Sequence, residues 1–125
     1  MALLARTLGA ATAAFGAATA LRPELVTVPA GLTDRDGATD RRTRVLVSLI
    51  GFRDVAVGTA MVAAPRGPAL RWLVAVRAVS DAGDAVLLGS RLPHPAARAV
   101  SVAAAGGWAA LCAYSARGAR EPNPR

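Results

Sequence analysis

Five charged residues lie where charge is hardest to hold. Arg53 and Asp54 stand at the centre of the apolar run "LVSLIGFRDVAVGTAMV", residues 46–62, and Arg77, Asp81 and Asp84 interrupt the apolar run after it. Guanidinium and carboxylate groups in such surroundings can do three kinds of work. They can neutralise one another and set helix register. They can form a site for a lipophilic small molecule, with Asp81 or Asp84 as general acid/base and Arg53 holding an anion. Or they can move protons in a carrier that uses the same aspartates.

The spacing gives the cluster a shape. Arg77 and Asp81 are an i,i+4 pair, and Asp84 follows one turn later on that face. Gly51 and Gly58 flank Asp54 at minus three and plus four, so the aspartate sits in a groove that a partner backbone can approach. The "PRGP" turn at residues 65–68 predicts a tight hairpin, with the second and third helices as antiparallel neighbours. Counting outward from that turn sets Arg53 opposite Ser80 and Asp54 opposite Val79. Arg53 is then expected to reach Asp81, and Asp54 to reach Arg77, within about one helical turn. Two cations face three carboxylates. One carboxyl, Asp84 or Asp81, is therefore expected to be neutral or in contact with water.

Four apolar stretches carry these residues, at 3–21, 45–64, 69–89 and 96–116. Each is near the roughly 20 residues that cross about 30 Å of hydrocarbon. In the second stretch nine Val, Leu, Ile or Phe residues favour insertion by roughly 3 to 5 kcal/mol, against about 2.5 to 3.5 kcal/mol for each unpaired central charge. In the third, eight such residues supply roughly 2 to 5 kcal/mol against about 7 or more. Neither helix is expected to face lipid with those groups unpaired. In a soluble bundle, by contrast, charge would recur on one face of every helix. The third stretch partly obeys that rule, but the fourth carries only Arg98 and the first only Arg6.

The first stretch has a second possible reading. Arg6, a small apolar core and Ala-x-Ala at Ala18–Ala20 also fit a cleaved secretory signal. Against that, Gly9, Ala13, Gly16 and Ala20 fall on one helical face, a small-residue stripe suited to helix packing. The connection "RPELVTVPAGLTDRDGATDRRTR", residues 22–44, is polar and holds half of the acidic residues. Its Asp-rich "DRDG" has no bidentate acid at calcium-loop spacing and reads as a solvated turn. Residues 117–125 read as a flexible tail of one 125-residue domain.

Composition narrows the classes further. The chain is 54% hydrophobic and 4% aromatic, with net charge +7 carried wholly by arginine. No basic stripe and few stacking aromatics accompany that charge, so nucleic acid is not expected as a partner. One cysteine, Cys112, and one histidine, His94, leave no metal-ligand set. No cofactor is expected, and the partner is the lipid bilayer. Trp72 reads as an interface anchor, and Trp108 as packing against Gly106 and Gly107. Arginines divide six to seven between the two ends of such a bundle, which leaves orientation open.

The motif Gly51-x-Arg53-Asp54-x-x-x-Gly58, with Arg6, Gly9, Gly16 and Pro23 before it and Arg77 and Asp81 after it, resembles a family of small four-span membrane proteins, domain of unknown function 4267. The resemblance implies a fold and a location and supplies no reaction. The 33–44 segment has no counterpart in that pattern. The expected protein is all-α: an antiparallel up-down four-helix transmembrane bundle, multi-pass in the cell membrane.

Overall fold

Glycine decides which helices touch first. The computed structural model describes residues 2–117, which form α1 (Ala2–Leu21), a short α2 (Glu24–Thr27), α3 (Arg41–Ala63), α4 (Pro68–Arg91) and α5 (Pro95–Arg117). The described residues are helical with no strand. Gly9 and Gly16 on α1 meet Gly58 and Gly51 on α3 in antiparallel register. A Cβ at Gly16 would stand 2.6 Å from the Gly51 carbonyl oxygen and 2.8 Å from Asp54 Cβ. A Cβ at Gly51 would stand 2.6 Å from the backbone nitrogen of Ala20. Only residues without side chains allow backbones this close, and packing then replaces apolar bulk as the source of attraction.

The second close pair is α4 with α5. This corrects the hairpin expectation. The turn at Ala64–Gly67 is tight, with Gly67 at φ 122, yet α3 and α4 approach at few points along their lengths. Chain connection made them sequential, whereas the glycine faces gave α3 to α1, and α4 packs on α5. The two pairs meet loosely along α3·α4 and along α1·α5.

Helix ends follow local chemistry. Asp40 caps α3: its Oδ1 accepts from the backbone N–H groups of Arg42 (2.9 Å) and Thr43 (3.1 Å), and the Thr43 hydroxyl donates to Oδ2. The Thr43 hydroxyl bond, ahead of the backbone bonds, holds the Asp40 carboxyl below its usual range. That cap starts the helix at Arg41, four residues before the apolar run at Val45. Pro68 opens α4 at a position where a missing N–H is harmless.

Two contacts close the ends of the bundle. At one, Arg6 Nη2 donates to the Ala64 carbonyl (3.0 Å), tying the start of α1 to the last turn of α3. At the other, Ala30 and Leu32 from the long connection pack on Leu88, Leu92 and Ala97 at the α4–α5 turn. Thr27 and Thr39 hydroxyls meet at 2.7 Å beneath that cover. Between the ends, Ala5, Leu8, Met61, Leu70, Val74 and Cys112 form an apolar layer to which α1, α3, α4 and α5 all contribute.

Two of the described helices, α3 and α5, are long and apolar enough to cross a membrane, with mean hydropathy 1.7 and 1.4 over their most apolar stretches. The expectation of four such helices is therefore too generous. In α4, Arg77, Asp81 and Asp84 fall within every membrane-length window. In α1, the Gly and Thr residues that allow close packing, together with Arg6, dilute the hydropathy.

The glycines divide into two testable classes. Gly16→Ala should lower the melting temperature in detergent, because the new methyl meets backbone that cannot yield. Gly107→Ala, with nothing within contact distance, should be neutral or stabilising by up to about 1 kcal/mol. Equal melting temperatures for the two variants would contradict the α1·α3 contact.

Candidate functional site

All five charged residues singled out in the sequence come together, in an alternating chain of acid and base. Arg77 donates through Nη1 to Asp54 Oδ1 at 2.6 Å, and its Nη2 lies 2.5 Å from Asp81 Oδ1. Arg53 donates to the same Asp54 oxygen through Nε (3.1 Å) and Nη2 (3.0 Å), and Nη2 also reaches Asp84 Oδ2 at 3.0 Å. The order is Asp81, Arg77, Asp54, Arg53, Asp84. A single carboxylate oxygen of Asp54 receives both guanidiniums.

Burial grades along this chain. Asp81 is 2% exposed, Asp54 6% and Arg77 7%, while the side chains of Arg53 and Asp84 are 37% and 28% exposed. The helix explains the gradient. Asp54 shares the inward face of Gly51 and Gly58, and one residue's rotation of about 100° carries Arg53 toward the outside. The same rotation corrects the expected Arg53–Asp81 pair. Arg53 meets Asp84, and Asp81 is taken by Arg77 one turn earlier on its own helix.

Elements on both sides position the site. Gly16 of α1 packs directly behind Asp54, so its carboxylate can only point away from α1 and toward α4. Gly9 and Gly58 make the same close contact nearer the Arg6–Ala64 end and do not touch the charged chain. Trp108 of α5 donates from Nε1 to Thr12 Oγ1 at 3.0 Å, a polar link across the other loose seam. Sequence reasoning missed Thr12 and Thr19, both 3% exposed. The signal was present: each follows a packing glycine, Gly9 or Gly16, by three residues and so shares its face.

Not every buried polar atom in this interior is matched. Asp81 Oδ2, Arg77 Nε and Thr19 Oγ1 are buried with no hydrogen-bond partner in the protein. Asp54 is fully engaged as an acceptor at Oδ1, which suits a structural clamp better than a base. Asp81 retains one unbonded carboxylate oxygen at the closed end of the chain. Asp84 stands at the open end, with Arg53 beside it. The arrangement can hold helices together, and it offers one buried oxygen where a proton could reside.

No family model, no curated protein and no solved structure matches this chain.

The bonding order ranks the arginines. Arg77→Met leaves Asp81 buried with no cation and should cost about 3 to 5 kcal/mol. Arg53→Met leaves Asp54 still bound to Arg77 and removes the cation only from the part-exposed Asp84, so a smaller loss than for Arg77→Met is expected. Pairing Arg77→Met with Asp81→Leu should recover most of the loss, because an apolar pair can replace a buried ion pair. Detergent melting curves of the three variants measure this. Arg53→Met proving the more damaging single change would contradict the arrangement.

Proposed function

We propose that this chain is an integral membrane protein in which an Arg/Asp chain inside the bilayer clips two helix pairs into one bundle, with a structural or accessory role. One observation carries the reading: around the Arg/Asp chain, large apolar side chains face outward while the charges lie inside. Phe52 is 70% exposed and Val79 73%, whereas Asp81 is 2%. Val86, Val100, Leu49 and Leu111 also face outward. Only 11% of the apolar stretch of α5 is buried. A helix with so little of its apolar surface covered needs lipid or a partner around it.

Interior ion pairs support the same reading. In hydrocarbon a lone Arg or Asp at the helix centre costs about 2.5 to 3.5 kcal/mol on the insertion scale, and here each has a partner. Hydropathy alone recommends α3 and α5. The glycine contact and the ion pairs would carry α1 and α4 into the bilayer with them. The Gly51-x-Arg53-Asp54 motif supports kinship with the small four-span family, and the multi-pass cell-membrane location follows from that reading.

A second reading is favoured by a separate observation, the buried Asp81 Oδ2 with no hydrogen-bond partner in the protein. It assigns Asp81 to proton handling, either as acid/base toward a lipophilic small molecule or in a proton-linked carrier. Proton flux into proteoliposomes that is present in the natural protein and lost in Asp81→Asn would favour it over the structural role.

The membrane reading is tested by fractionation. The expressed protein should stay with membranes through an alkaline carbonate wash and leave them only in detergent. A monodisperse protein in detergent-free buffer would overturn it.

A further inference from the structure

The charge at the two ends of the bundle is distributed unequally. The end formed by the start of α1, the 64–67 turn and the close of α5 carries Arg6, Arg66, Arg71 and Arg117, with no carboxylate among the described residues there. The opposite end mixes its arginines with Glu24, Asp34, Asp36 and Asp40. Arg6 is engaged by the Ala64 carbonyl. Arg71 and Arg117, by contrast, form no ion pair with any described residue.

Those two arginines share an open groove of about 330 Å³ with Pro68, Trp72, Ala75 and Ala116. Its lining is divided in kind. Arg71 and Arg117 bring the charge to it, while Ala75, Ala116 and Trp72 bring apolar side chains. Trp72 is 73% exposed. The first turn of α4 enters the groove at Pro68 and has no side-chain cap, so its positive dipole end is not neutralised from within. The carbonyl end of α5 acts in the opposite sense, and Arg117 in its last turn offsets it.

We propose that this groove seats the phosphate of an anionic phospholipid, with Arg71 and Arg117 on the phosphate oxygens and Trp72 along the glycerol and upper acyl chain. The inference rests on the membrane reading above and adds a headgroup preference to it. A bidentate guanidinium suits a phosphodiester. An amphipathic indole suits the level where headgroup gives way to hydrocarbon. A soluble anion would use the guanidiniums and leave the apolar half of the groove without a role.

The experiment uses the full chain in vesicles containing chain-brominated phosphatidylglycerol or chain-brominated phosphatidylcholine at equal mole fraction, reading tryptophan quenching. Phosphatidylglycerol should quench more strongly, and the excess should vanish in Trp72→Phe, where Trp108 remains. Arg71→Gln and Arg117→Gln should each reduce the preference about fivefold. Both residues are exposed, so the fold should survive, and the helical circular dichroism should be unchanged. Equal quenching by the two lipids would overturn the headgroup site while leaving the membrane reading intact. Quenching by neither would strike at the membrane reading itself. Loss of the preference in millimolar inorganic phosphate would assign the groove to a soluble anion and overturn the lipid assignment.

Discussion

The bundle depends on one oxygen atom. Asp54 Oδ1 accepts from Arg53 and from Arg77, and the Arg77 bond, together with the Arg53–Asp84 pair, gives the α1·α3 pair its hold on α4. Its placement is not independent of the glycines. Because Gly16 lies against the Cβ of Asp54 and the backbone of Gly51 and Val55, the carboxylate has no room on that side and projects toward Arg77 of α4. Close packing on one face of α3 thus aims the charge on the next. A bulkier residue at Gly16 would disturb the packing and the ion pair together.

Two kinds of attraction divide the structure between them. Within α1·α3 the backbones meet through glycine, and the contact is dispersive and short-ranged. Between the pairs, where the backbones stay further apart, long arginine side chains span the gap. A guanidinium on a three-carbon stem can bridge helices that side chains such as Ala and Val would leave unconnected. This explains why α3 and α4 are joined by two interior ion pairs and yet touch little along their backbones. The seam between α1 and α5 uses the same device in neutral form, with the Trp108 indole reaching Thr12.

The residues of the cluster were readable before their partners were. Charge in the middle of an apolar run identifies Arg53, Asp54, Arg77, Asp81 and Asp84 whatever the topology. The glycine stripes on α1 and α3 were readable for a similar reason, since a seven-residue repeat of Gly implies a close backbone. What could not be read was which helix answers which. The hairpin turn made α3 and α4 look like the close pair, but a tight connection constrains only the end of a seam. Arg53 was likewise set on Asp81 by counting from that turn. The count gives relative height along the bundle and says nothing of rotation about the helix axis, and rotation is what sends Arg53 to Asp84. Hydropathy has a related blind spot: averaging over α4 counts Arg77 and Asp81 as if exposed to the surroundings, although they are among its most buried residues.

The surplus carboxylate is left by this arrangement at the ends of the chain and never in its interior. In the order Asp81, Arg77, Asp54, Arg53, Asp84, each guanidinium stands between two acids, so no two like charges are direct neighbours. The terminal acids then bear the imbalance in different ways. Asp84 is part-exposed, with one oxygen on Arg53. Asp81 is enclosed, with one oxygen on Arg77 and the other unbonded. A purely structural clamp needs only Asp54 and one arginine from the facing helix. Carrying the chain on to a buried, half-bonded acid imposes a desolvation penalty that helix packing does not require. That excess separates the two readings of the site, because Asp81 is the one buried member of the chain whose second carboxylate oxygen is left unbonded.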